Sequence, residues 1–198
     1  MTAKQIDLSL LTQHQSFAAS ELTSPAPTSS ELGQILQAAM SAPDHGNLQP
    51  FRFLIIDGDA RLELSAVFEE AATARGLDAA GIAKQKNKPL RAPMIIVVIA
   101  TPSANPKIPE IEQLLSAGCA AQHIQLACHQ AGFGSIWLTG DNAYDLSVHA
   151  ALGLDLNERI IGFVYVGTPP LNAAPRPRAD AASITSYWLQ KQDQDFAI

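Results

Sequence analysis

The stretch Ala42-Pro43-Asp44-His45-Gly46-Asn47-Leu48-Gln49-Pro50-Phe51 joins two runs of different hydrophobic period. Upstream, Thr28-Ser29-Ser30-Glu31 is a helix-capping signal, and Leu32, Ile35, Leu36 and Ala39 follow at helical spacing. Downstream, Phe51 to Ile56 reads as a strand that ends in the turn Asp57-Gly58-Asp59. Pro43 stops the helix, because the residue before a proline disfavours helical geometry. Pro50 can open a strand without a ladder donor, and Gly46 permits a close backbone approach. A plain turn needs only one or two such residues. Asp44, His45, Asn47 and Gln49 are surplus polarity on a helix-to-strand connection, which marks it as a candidate site.

Working outward, Leu8 to Leu11 can form a short helix, and Ala60 to Ala74 has helical spacing through Leu62, Leu64, Val67 and Phe68. Ala79 to Asn87 is a more polar helical piece. Ala92-Pro93 then introduces "MIIVVIA", a run without alternation that predicts a strand buried on both faces. The longest helix should run from about Ile108 to Ala131, with Gly132 as its stop. It is small and apolar over much of its girth, so it belongs in a core or a subunit interface. "FGSIWL" is a strand, "YDLSVHAAL" a helix and "RIIGFVYVG" a further strand. No repeat or linker interrupts the chain, which reads as one domain, 1–198, with an extended proline-rich arm from about Thr168.

Composition narrows the function classes. The 198 residues are 47% hydrophobic, enough for a sizeable core, but only 16% charged, below the roughly 25% usual in soluble domains. So few charges hint that part of the surface is covered by another copy of the chain. The net charge is −6 and no Lys/Arg-rich stripe occurs, which argues against nucleic acid as a partner. The N-terminus lacks the basic-then-apolar build of a signal peptide, and Met94 to Ala100 is far too short to span a bilayer. With only Cys119 and Cys128, the expectation is a cytoplasmic protein without a membrane partner.

Side chains alone suggest no reaction. Cys119, His123, Cys128 and His129 match none of the common zinc spacings, so they read as core residues of the long helix and no metal is expected. Gly132-Phe133-Gly134 follows a helix and precedes a strand, the reverse of a dinucleotide fingerprint. No serine elbow, His-Glu-x-x-His or Walker lysine is present. Asp44 and His45 are adjacent, and adjacent side chains rarely aim at the same atom. If the chain is an enzyme, a cofactor carries the chemistry.

"APDHGNLQPFRF", "RAPMIIVV", "AGFGSIWLTG" and "IIGFVYVGTPP" occur in this order and spacing, and together they resemble the nitroreductase family, specifically its short single-domain bacterial branch, from about Leu8 to Trp188. The resemblance implies an α+β fold, a mixed sheet wrapped by helices, in an intertwined homodimer with two FMN molecules at its interface. It implies ping-pong hydride transfer, in which NAD(P)H reduces FMN and the flavin reduces a nitroaromatic, a quinone or a similar small molecule. Carried over residue by residue, the cofactor-binding set is His14, Gln15, Ser16, Ser41, His45, Asn47, Gln49, Trp137, Leu138, Thr139 and Gly140. Chemistry stays on flavin N5, with no catalytic side chain. Asn47 and Gln49 suit a flavin edge, since neutral amides pair with alternating donors and acceptors.

Three positions depart from the family pattern. Where relatives usually carry Arg-Arg-Ser or Arg-x-Ser, this chain has His14-Gln15-Ser16, and Ser41 and Leu138 stand at two further arginine positions. Each charge-assisted bond to phosphate is worth about 1.5–3 kcal/mol. Arg176 and Arg178 in the arm could replace that grip. Two readings therefore stand: an FMN-dependent reductase, or a nitroreductase-fold binding module with weakened flavin affinity.

Overall fold

The computed structural model describes residues 6–171 and 176–188. Tail positions 172–175 and 189–198 lie outside the described residues. Strands β1 (Phe51–Asp57), β2 (Met94–Ala100), β3 (Gly134–Leu138) and β4 (Arg159–Gly167) form one sheet in the order β1-β2-β4-β3. Its registers run from Phe51 opposite Ala100, Met94 opposite Val166 and Gly134 opposite Gly167, all antiparallel. The mixed character implied by the resemblance reduces, among the described residues, to one parallel bridge, Ser16 to Ser135, on the outer side of β3.

Strand β2 explains the layering. Every residue of it is buried, as the unbroken apolar run predicts, and its side chains alternate between two cores. Ile95, Val97 and Ile99 face helix α3 (Ala60–Ala74) and helix α6 (Leu146–Ala151), meeting Leu64, Phe68 and Val148. Ile96, Val98 and Ala100 face helix α2 (Ser29–Ala39) and helix α5 (Glu110–Gln130), meeting Ile35, Ala39, Ala117, Ala121 and Ile124. Short α1 (Ser9–Thr12) and polar α4 (Ala79–Lys86) complete the helices. Helices plus an antiparallel sheet make the class α+β.

The local signals explain the element ends. Thr28 accepts a hydrogen bond from the Glu31 amide at 3.3 Å while the Glu31 carboxylate accepts from the Thr28 amide at 2.8 Å, the reciprocal cap read from the sequence. Helix α5 is not wholly buried. Ile111 and Leu115 are 59% and 62% exposed, and Cys119, Gln122 and Leu126 continue the same half-exposed stripe. Beyond β4, Thr168 pairs with Thr23, and residues 176–188 show only a 3₁₀ turn at Ala181–Ile184.

Candidate functional site

The loop from Pro43 to Gln49 is organised by Asp44. Its carboxylate accepts hydrogen bonds from the Leu48 amide at 3.1 Å and the Gln49 amide at 2.7 Å. Asp44 is thus a loop tie rather than half of an acid-base pair. Gly46 has φ +78°, and a Cβ there would lie 2.6 Å from Ile108 Cδ1, so the close approach read from the sequence is real. Asn47 and Gln49 also hold positive φ, 52° and 47°, a conformation rare outside functional or tightly turned segments. Their amide side chains are exposed and make no hydrogen bond among the described residues. His45 Nδ1 lies 2.7 Å from Glu112 Oε2, at the N-terminal end of α5.

A second group gathers around the other end of α5. The His14 ring meets His129 edge-on, with centroids 5.8 Å apart. Arg178 donates to the His14 carbonyl, which brings the arm to this point. Ser16 is held by its bridge to Ser135, and the Phe17 amide donates to the Ser135 carbonyl at 3.1 Å. Burial, then the nearby His129 and Arg178, hold the His14 imidazole below its ordinary value. His14 Nε2 and Gln15 Oε1 are buried without a hydrogen-bond partner among the described residues. Ser41 sits apart from both groups, 3.2 Å from His123 Nδ1, over a groove of ≈ 530 Å³ lined mainly by Leu10, Ile35, Ala38 and Leu126. Arg176 is exposed and joins none of these groups among the described residues.

A third group adds to the family-motif residues side chains that the sequence did not mark as part of a site. Leu138, Thr139 and Gly140 open onto a cavity of ≈ 390 Å³ whose other walls include Lys84, Lys88, Arg91 and Tyr165. The Arg91 guanidinium stands 5.4 Å from the centre of the Tyr165 ring. Burial, followed by Arg91, pulls the Lys88 ammonium below its ordinary value, with Asp141 opposing. No carboxylate comes within ion-pair distance of these three cations among the described residues. The sequence signal was basic density in "KQKNKPLR", which reads as a solvated helix until the fold sets it against Gly140. Trp137 differs in kind from its neighbours. Its indole N–H donates to the Ile161 carbonyl at 3.1 Å, and its ring lies on Gly162 and Gly118, so it shapes the strand end.

The Nitroreductase family model matches residues 21–168. "Putative NAD(P)H nitroreductase YdjA" of Escherichia coli (strain K12) is 45% identical over 157 residues, covering 79% of this chain and 86% of that protein. The chain belongs to the nitroreductase family. A "Putative NAD(P)H nitroreductase" of Haemophilus influenzae is 36% identical over 162 residues, covering 81% and 87%. Among solved folds, a nitroreductase-like protein from Bacillus cereus superposes with TM-score 0.80 at 20% identity, over 96% of this chain and all of that one. A nitroreductase from Desulfovibrio desulfuricans, described as a complex with FMN, gives 0.70 at 23% identity, over 94% and 97%.

In this nitroreductase the site residues taken from the sequence do not converge at one point of the single chain. His45 contacts α5 at Glu112 and His14 contacts it at His129, 17 residues apart by number, or about 26 Å at 1.5 Å per residue. The His14–Ser16 group and the Leu138–Gly140 group lie closer, at opposite ends of β3, about 13 Å apart from Ser135 to Thr139 at ~3.3 Å per residue. Among the described residues no trio of His, Cys, Asp and Glu could hold a metal, and no helix is long and apolar enough to cross a membrane. Cys128 is buried in the core, its thiol pushed up to about 12 by burial.

Proposed function

We propose that the chain is an FMN-dependent oxidoreductase that takes hydride from NAD(P)H and reduces nitroaromatics, quinones or similar small acceptors in a ping-pong cycle. The observation that carries it is the cation-lined cavity at the end of β3 in a nitroreductase chain. The residues suit the group. Lys88 and Arg91 have no carboxylate within ion-pair distance among the described residues and can stabilise negative charge at a flavin's pyrimidine edge. The free amides of Asn47 and Gln49 suit hydrogen bonds along a ring edge. The unpartnered His14 Nε2 and Gln15 Oε1 await a polar ligand group at the far end of β3. Bound FMN supplies hydride acceptance at N5, and the chain's residues bind, orient and balance charge around it.

The working form is a homodimer. One flavin cannot reach both ends of α5 in a single protomer, but two chains packed through the Ile111–Leu115–Leu126 stripe in antiparallel sense would set one loop against the other chain's His14 end. The arm, one domain with the rest of the chain, continues toward the same region through Arg178. Two free cysteines suit the cytoplasm. The test is an absorbance spectrum followed by NAD(P)H oxidation with a quinone. Flavin bands and acceptor-dependent turnover support this reading; FMN uptake without turnover supports the binding-module reading instead.

A further inference from the structure

The group at the C-terminal end of α5 combines features that a packing role does not explain. Three basic side chains, His14, His129 and Arg178, meet from three separate segments: the stretch after α1, the last turn of α5 and the arm. No carboxylate lies within ion-pair distance of any of them among the described residues. The β3 neighbour across the Ser16 bridge, Ser135, is neutral, as are Gln15 and Ser16. His129 and Arg178 are the charged or titratable groups that act on His14, and both disfavour its protonation. Gathering like charge around a half-buried ring costs stability unless an anion offsets it. His14 Nε2 is buried without a hydrogen-bond partner among the described residues, and once protonated it is a donor that only an acceptor group could satisfy.

We propose that His14, His129 and Arg178 form a proton-linked seat for a phosphomonoester, in which His129 is an added specificity residue that takes over from the missing arginine at position 14. The inference rests on the flavin reading above, with the phosphate of FMN as the ligand group. A fixed arginine pair would hold the phosphate equally at any physiological pH. Imidazoles do so only when protonated, and the anion itself favours that protonation. Binding therefore takes up protons: a dianion arriving beside His14 and His129 stabilises the imidazolium forms and draws hydrogen ions from solvent. Arg178 contributes the permanent charge, and its bond to the His14 carbonyl brings the arm and the ring to the same point. Riboflavin offers the same ring without the phosphate and should do none of this.

The experiment is calorimetric titration of the apo-protein with FMN and with riboflavin, in phosphate-free buffers of different ionisation heat, between pH 7 and 9. A phosphomonoester is already dianionic there, its second pKa being about 6. FMN should bind at least about ten-fold tighter than riboflavin at pH 7, the scale of one charge-assisted hydrogen bond. That preference should fall toward pH 9, and FMN alone should show buffer-dependent heat from proton uptake. His129→Gln should lose part of the proton uptake and of the preference while keeping riboflavin affinity, His14 carrying the remainder. Arg178→Gln, on the exposed arm and remote from the core, should weaken FMN alone while proton uptake on FMN binding persists. Equal affinity for the two flavins, or a His129→Gln protein with unchanged preference and proton uptake, would overturn the seat and leave the flavin reading intact. Failure to bind either flavin would overturn both.

Discussion

Glu158 shows how single side chains hold the frame of this nitroreductase. It is 6% exposed and receives both Arg52 Nε and Nη2 at 2.7 Å, and it also accepts from the Asp155 amide. Arg52 holds its carboxyl below the ordinary value of 4.5, mainly through those hydrogen bonds. Because the folded value is depressed, the stabilisation is present above about pH 4.5 and is lost as pH falls through the folded value. Glu158→Gln should lower stability by about 1–3 kcal/mol and flatten the acid limb, measured by urea unfolding at pH 7 and pH 4. Cys128 gives a second residue-scale test. With its thiol pushed up to about 12 in the core, it should resist maleimide in the native protein and react after denaturation.

At the scale of elements, the contact between β3 and β4 is the tightest constraint on the site. A Cβ at Gly162 would fall 2.0 Å from Trp137 Nε1, so Gly162→Ala must move the indole that fixes the end of β3 before Leu138. The variant should lose about 1–3 kcal/mol and change the near-ultraviolet circular dichroism of Trp137. Elements of this kind were largely legible in the sequence, because period and capping are local: β2 reads from its unbroken apolar run and α2 from Thr28 and Glu31. The Leu138–Gly140 cavity was only half legible. Leu138, Thr139 and Gly140 follow from the family motif, whereas Lys88 and Arg91 join them only through packing between distant segments. His129 was hidden for the same reason. Its partner His14 lies far away in sequence, and a histidine at the end of an alanine-rich helix reads as packing.

For the whole molecule, the proposed homodimer would account both for the exposed stripe of α5 and for the 26 Å separation along it, at about 1.5 Å per residue. Leu115→Asp places a charge in that stripe and should convert the proposed dimer to monomer in sedimentation equilibrium, with FMN affinity falling at least about ten-fold. The low charge content agrees with a covered face. FMN titration of the apo-protein, followed by absorbance and by sedimentation of the same samples, tests the central claim most directly. A yellow dimer that saturates at one FMN per chain is the predicted result; a chain that stays colourless in excess FMN would contradict it.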